Sequence, residues 1–231
     1  MIPQLDLAGA RRAHDTLCEY LDGLTDDEAR QASLLPDGPV GHVLTHIARN
    51  ADSITRMFEA ANGGEIGDQY PGGAEQRTAD IETGAPRTAA ELVADVRDSC
   101  GRLDRAWSAT TDAAWAMGSG RMMAGELPLS DMVFRRWREV EVHHADLGLT
   151  FTWRDWSEEY VDLELELSTR KLALRLQDDI ALRIEPSDAI GVWIVEPVPV
   201  ERTLVRGTRR ELLAWILGRD DRPDWPELAP W

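Results

Sequence analysis

Residues 134–148 read FRRWREVEVHHADLG, and the helix they predict organises the rest of the chain. At about 100° per residue, Met132, Arg136, Glu139, His143 and Asp146 share a stripe roughly 80° wide. Val133, Trp137, Val140, His144 and Leu147 form an apolar stripe beside it. Glu139 and His143, one turn apart, therefore face the same way at the edge of a core. Two readings of the pair stand: a surface ion pair of the common i,i+4 kind, or two ligands of one metal ion.

An earlier segment repeats the layout. From Pro39 to about Asn62, Val40, Leu44, Ile47, Ala51, Ile54 and Phe58 make an apolar stripe. His42, His46, Asn50, Ser53 and Met57 make a more polar one beside it. Two helices so patterned can meet over a polar cavity in a bundle. His46, central in its stripe, is the best candidate for a third ligand, and His42 one turn earlier faces the same way. His144 belongs to the apolar stripe and is expected to be packed, and His14 reads as a surface residue. One histidine from the first helix with Glu139 and His143 from the second makes a two-nitrogen, one-oxygen set. Such a set leaves a position for water or substrate, as catalytic zinc requires. Asp146 is a candidate to orient a ligand from behind, because an acid near a helix C-terminus opposes the helix dipole.

Around these two segments the chain predicts further helices. Leu5–Leu24 has helical apolar spacing. Thr25 and Thr88 each stand three residues before a glutamate, a capping-box pattern, opening helices to about Ala32 and Thr110. Leu35–Pro39 reads as a turn. Residues 64–87 form a glycine-rich loop with a short helical piece over 74–82, and residues 117–127 suit a hairpin or a wandering loop. Pro128 opens the 134–148 helix and Gly148 closes it. Beyond it the texture changes. A helix capped around Asp155–Glu158 runs to about Leu174, followed by β-like runs at 180–184, 189–195 and 202–206. Thr208 caps a last helix to Leu217, and 220–231 is irregular. The expectation is an α+β protein: an all-helical front over 1–150 and a small α/β back over 151–231.

The 231 residues carry 42 acidic against 25 basic side chains, a net charge of −17. That argues against nucleic acid and anionic membranes, both of which need a basic footprint. An anionic substrate would need local arginines working against the overall field. Cys18 and Cys100 are too few and too far apart for a disulfide framework, and neither has sequence neighbours that mark an activated thiol. No apolar run reaches a membrane span, and no basic-then-apolar leader is visible. The expected setting is the cytoplasm, as a monomer or homodimer. The chain has no nucleophile elbow, phosphate-binding glycine loop or Cys-x-x-Cys pair.

The segments VGHVLTHIARN (40–50), AEQRTADIETGAPR (74–87), RRWREVEVHHADLG (135–148) and LLAWILGR (212–219) resemble the mycothiol-dependent maleylpyruvate isomerases of actinobacteria. The resemblance spans nearly the whole chain. It implies a DinB-like four-helix metal-binding domain followed by a small α/β domain. It implies that His46, Glu139 and His143 bind zinc or another divalent metal. Arg219 is pointed to as a catalytic or cofactor-binding group, and Arg77 matches a family arginine of the long loop. The implied chemistry uses the low-molecular-weight thiol mycothiol. A metal-held thiolate adds to the cis double bond of maleylpyruvate, the new single bond rotates, and elimination gives fumarylpyruvate. Arg219 and Arg77 would hold carboxylates or developing enolate charge. One departure is the turn Pro36–Pro39, where relatives often carry Gly-Trp-Thr. Three other functions fit the same residues: a mycothiol S-transferase acting on another electrophile, a metal-dependent hydrolase using activated water, and a binding protein with a closed metal site.

Overall fold

The computed structural model describes residues 1–36, 38–123, 125–177, 180–195 and 202–230. Asp37 of the expected turn, Ala124 of the expected hairpin and Trp231 of the irregular tail lie outside them. The chain divides into two compact units, Met1–Thr152 and Trp153–Trp231.

The first unit is a helical bundle. Its long helices are α1 (Gln4–Tyr20), α3 (Val40–Asn62), α5 (Ala89–Ala109) and α7 (Leu129–Asp146), with the short α2 (Asp26–Arg30), α4 (Gly73–Gly84) and α6 (Asp112–Met117) between them. Packing runs α1 on α7, α7 on α3, α3 on α5 and α5 on α1, which closes a four-helix ring. The apolar stripe of α3 is its core face: Val40, Leu44, Ile47, Ala51, Ile54 and Phe58 are all buried. Thr25 and Thr88 cap α2 and α5 as full capping boxes with Glu28 and Glu91, so each helix start is fixed by partners within four residues. Gly148 follows α7 at φ +69°, a left-handed conformation that costs glycine little.

The segment expected as hairpin or loop is a hairpin. β2 (Ser119–Met122) pairs antiparallel with β3 (Gly125–Pro128), and the two-residue β1 (Gly67–Asp68) joins β2 in parallel. The helical piece in the glycine-rich loop is longer than expected: α4 covers Gly73–Gly84 and packs on α3.

In the second unit, α8 (Glu158–Thr169) and α9 (Arg209–Ile216) pack together beside a sheet ordered β5-β4-β6. β4 (Ala181–Pro186) runs antiparallel to β5 (Trp193–Val195) and parallel to β6 (Arg202–Gly207). Leu182, Ile184 and Val205 are buried with Trp156, Tyr160, Leu212 and Ile216. Two expectations shift. The helix after Gly148 begins at Glu158 and stops at Thr169, because Trp153–Asp155 and Leu172–Arg175 wind as separate 3-10 turns. Residues 189–192 are not strand, and only Trp193–Val195 reach a partner on β4. Among the described residues no helix is long and apolar enough to cross a membrane.

Candidate metal centre

The polar stripes of α3 and α7 meet. His46 Nε2 lies 3.0 Å from Glu139 Oε2, and His143 Nε2 lies 3.5 Å from the same oxygen. The two imidazoles stand nearly perpendicular, at 87° with centroids 4.8 Å apart. One ligand atom from each of the three residues lies within 4.8 Å of the other two. The side chains are largely but not fully buried: His46 is 12%, His143 17% and Glu139 33% exposed. The cluster is thus open on one side.

The far side of each imidazole is held. Asp146, one turn beyond His143 and 2% exposed, places Oδ2 2.9 Å from His143 Nδ1. That contact puts a proton on Nδ1 and turns Nε2 toward Glu139. Behind His46, Arg77 of α4 places Nη2 3.1 Å from Nδ1, and its guanidinium lies 5.8 Å from the Tyr70 ring. An arginine N–H only donates. His46 Nδ1 therefore accepts, and its proton sits on Nε2 and points at Glu139. No sequence signal marked Tyr70, which meets Arg77 only because α4 folds back on α3.

These contacts set the charges of the cluster. Burial pushes Glu139 up, but hydrogen bonds from His143 and His46 overcome it and hold the carboxyl well below its usual range. Burial pulls His143 down, yet Asp146 and Glu139 lift it to about 9. His46 goes the other way: burial lowers it, and Glu139 only partly compensates. A carboxylate is thus pinned between a protonated and a neutral imidazole.

The donor set fits a divalent metal. A four-coordinate zinc with bonds of ~2.0–2.1 Å spaces its ligand atoms roughly 3.3 Å apart. The two contacts to Glu139, 3.0 and 3.5 Å, bracket that spacing. His46, Glu139 and His143 would hold the ion, with Asp146 behind His143. The metal-free tautomer of His46 does not yet suit it, because ligation through Nε2 requires that nitrogen's lone pair.

Other residues singled out from the sequence lie elsewhere. His42 Nε2 faces Glu82 Oε1 at 3.5 Å and stays out of the cluster. His144 is packed as expected, stacked on Phe151 at 3.7 Å. His14 is not on the surface: it is 1% exposed and lies against Trp107. Its position on α1 explains this, since it follows Ala10 by four residues and precedes Leu17 by three, inside the apolar stripe. Arg219 lies in the second unit just past α9, where Gly218 has φ +71°. Its backbone N–H donates to Ala214 O at 2.7 Å and Nη1 donates to Leu217 O at 2.6 Å.

Comparison with known proteins places this geometry in a family context. The family described as mycothiol maleylpyruvate isomerase N-terminal domain matches residues 10–148. The fold is similar to the crystal structure of the mycothiol-dependent maleylpyruvate isomerase, with TM-score 0.81 and 26% identity, covering 95% of this chain and 90% of that one. A crystal structure of a histidine-to-alanine mutant of that isomerase gives TM-score 0.81 at 25% identity over the same shares. No curated protein sequence matches the chain.

Proposed function

The chain belongs to the mycothiol maleylpyruvate isomerase family, and from that premise we propose that it is a metal-dependent enzyme using mycothiol to convert maleylpyruvate to fumarylpyruvate. The observation that supports this most is the His46–Glu139–His143 cluster, whose donor spacings suit one zinc-like ion. When bound, the metal supplies a Lewis acid that lowers a thiol's pKa, and the thiol cofactor supplies a nucleophile that can add and leave reversibly.

The protein's own residues have distinct tasks in this reading. Glu139 is held as a carboxylate and contributes the negative ligand. Asp146 fixes the His143 ring with Nε2 facing inward. Arg77, beside the cluster on α4, is the group suited to a substrate carboxylate or developing enolate charge, since its fork can bond two oxygens at once. Arg219 is assigned a second anion-binding role on the resemblance of its LLAWILGR segment. No protein nucleophile is required. Cys18, the more exposed cysteine, is a poor one, because burial and the neighbouring Cys100 push its thiol up to about 11.

The test is an isomerase assay on maleylpyruvate with and without mycothiol, alongside metal analysis. His46→Ala should lose both bound metal and activity, whereas Arg219→Ala should keep its metal and lose most of kcat/KM. Undiminished activity in thiol-free buffer would sink the thiol-dependent reading in favour of a metal-activated water. The departure at Pro36–Pro39, just before the His46 helix, favours one alternative with the same residues: transfer of the thiol to a different electrophile. In that case the product retains mycothiol, which mass spectrometry of the reaction mixture reveals directly.

A further inference from the structure

One turn from the donor cluster, the core of the first unit buries a cation without a carboxylate. Arg136 of α7 is 0% exposed. Its Nε donates to His14 Nε2 at 3.1 Å, Nη1 donates to Ile47 O and Asn50 Oδ1, both at 2.9 Å, and Nη2 donates to Cys100 Sγ at 3.4 Å. These bonds tie α7 to α1, α3 and α5. Among the described residues no Asp or Glu pairs with the guanidinium. A buried charge left uncompensated costs far more than single hydrogen bonds return.

The protons identify the counter-charge. Arginine stays protonated, and its N–H groups only donate. His14 Nε2 must therefore offer a lone pair, so the imidazole's proton is on Nδ1, which faces Asp104 Oδ1 at 3.3 Å. Burial lowers the His14 pKa while Cys100 and Asp104 draw it up, but the lone pair it offers Arg136 keeps the ring neutral in this arrangement, with the Asp104 charge behind it. Ile47 O and Asn50 Oδ1 are neutral acceptors. Among the guanidinium's partners, only Cys100 Sγ can become an anion. Burial pushes the Cys100 thiol up, and against it stand the charge and the N–H of Arg136, with Nη2 3.4 Å from Sγ, which favour the thiolate.

We infer that Cys100 is a thiolate in the folded protein, the counter-ion of Arg136, and that this buried pair braces α7 against α3 where the two helices carry the donor cluster. On folding the thiol loses its proton to solvent, and no other bond changes. Arg136 precedes Glu139 by one turn and holds the carbonyl of Ile47, the neighbour of His46. It is therefore a positioning residue, and this part of the inference rests on the proposed metal site. The groups facing Cys100 are His14 and Cys18 from α1, Asp104 from its own α5 through His14, and Arg136 from α7. From α3, Asn50 Oδ1 and the Ile47 carbonyl face Arg136. Cys18 is the internal control: Arg97 binds its carbonyl at 3.1 Å and draws its thiol down, but burial and Cys100 outweigh that and push it up to about 11.

The test is the ultraviolet thiolate band of metal-free, thiol-free protein as pH is raised from acid to neutral. Wild type and Cys18→Ser should each show one thiolate per chain at neutral pH, with a midpoint below that of an ordinary cysteine. If neither shows the band until the ordinary thiol range of ~8.5, Cys100 is a neutral thiol and the inference fails. These two proteins decide the matter even if Cys100→Ser does not fold. For the brace, Cys100→Ser should weaken metal affinity about tenfold, as supporting partners typically do, and Cys100→Asp should recover more of it than serine does. Equal affinities for the two variants would overturn the positioning role. The spectroscopic result needs neither metal nor mycothiol, so it stands or falls independently of the proposed activity.

Discussion

His143 sits between two carboxylates, with Asp146 at 2.9 Å and Glu139 at 3.5 Å, and this determines how the cluster should answer to pH. Its folded pKa is raised to about 9, against roughly 6.5 in an unfolded chain. In metal-free protein its stabilising contribution is therefore complete below ~6.5 and is lost as pH rises through about 9. A metal must displace that proton from Nε2. Apparent metal affinity should rise by about tenfold per pH unit from neutral toward 9 and then level off. Chelator competition across that range measures it, and a flat profile would mean that His143 is already unprotonated. Arg77 poses a second, opposite problem. Its donation to His46 Nδ1 favours the tautomer a metal cannot use, and its charge repels a cation. Arg77→Met should bind metal several-fold more tightly and yet turn over more slowly, because the anion-binding fork is gone. Tighter metal with unchanged activity would remove Arg77 from the substrate. The wheel of one helix was enough to pair Glu139 with His143, since both lie on α7. The approach of Arg77 to His46 was not legible, because no local rule says where a loop helix will fold back. His14 was legible and misread, its position within the apolar stripe of α1 outweighed by the usual exposure of histidine.

Among the elements, α1 and α7 pack through a glycine. A Cβ on Gly9 would fall 2.4 Å from ring carbons of Trp137, and that indole is fully buried. In an open helix Gly→Ala gains about 1 kcal/mol. Here the ring cannot move aside, and overpacking costs about 1–3 kcal/mol, so Gly9→Ala should destabilise the protein and lower its Tm. Gly101 on α5 is the contrast. Its Cβ would meet Arg105 Nη1 at 3.3 Å, the free end of a flexible side chain, so Gly101→Ala should stabilise by about 0.5–1 kcal/mol. Denaturant unfolding of both variants checks the pair, and a shift of the same sign in both would refute the contact argument. The caps show which element boundaries a sequence carries. Thr25, Thr88 and Thr208 bond glutamates three residues on, so each helix start is written locally. The same pattern at Asp155–Glu158 misled, because a 3-10 turn takes Trp153–Asp155 and α8 begins after Ser157 without a side-chain cap bond. β1 had no readable signal. Gly67 and Asp68 become strand only by pairing with Gly120 and Arg121, far along the chain.

At the scale of the whole molecule, the α+β class was readable because helical periodicity gives way to short β-like runs after Gly148. The order β5-β4-β6, with β4 parallel to β6, was not, since strand order depends on pairings that no single strand encodes. Net charge is the molecular property that bears most directly on function. At −17 the protein repels a dicarboxylate approaching from bulk water, and only local cations such as Arg77 reverse the field at short range. Raising ionic strength from about 0.01 to 0.15 M shortens the screening length from roughly 30 to 8 Å. That removes the long-range repulsion while sparing contacts of a few ångströms inside a largely buried site. For a dianionic substrate such as maleylpyruvate, kcat/KM should therefore rise with salt over this range, by a few-fold when association limits turnover. A neutral electrophile, the substrate class that a thiol transferase could use, should show no such rise. Stopped-flow or initial-rate measurements at fixed mycothiol and varied salt would separate the two. A kcat/KM that falls steeply with salt for the dicarboxylate would show instead that the arginines near the cluster dominate the approach and that the acidic remainder of the chain is out of the substrate's path.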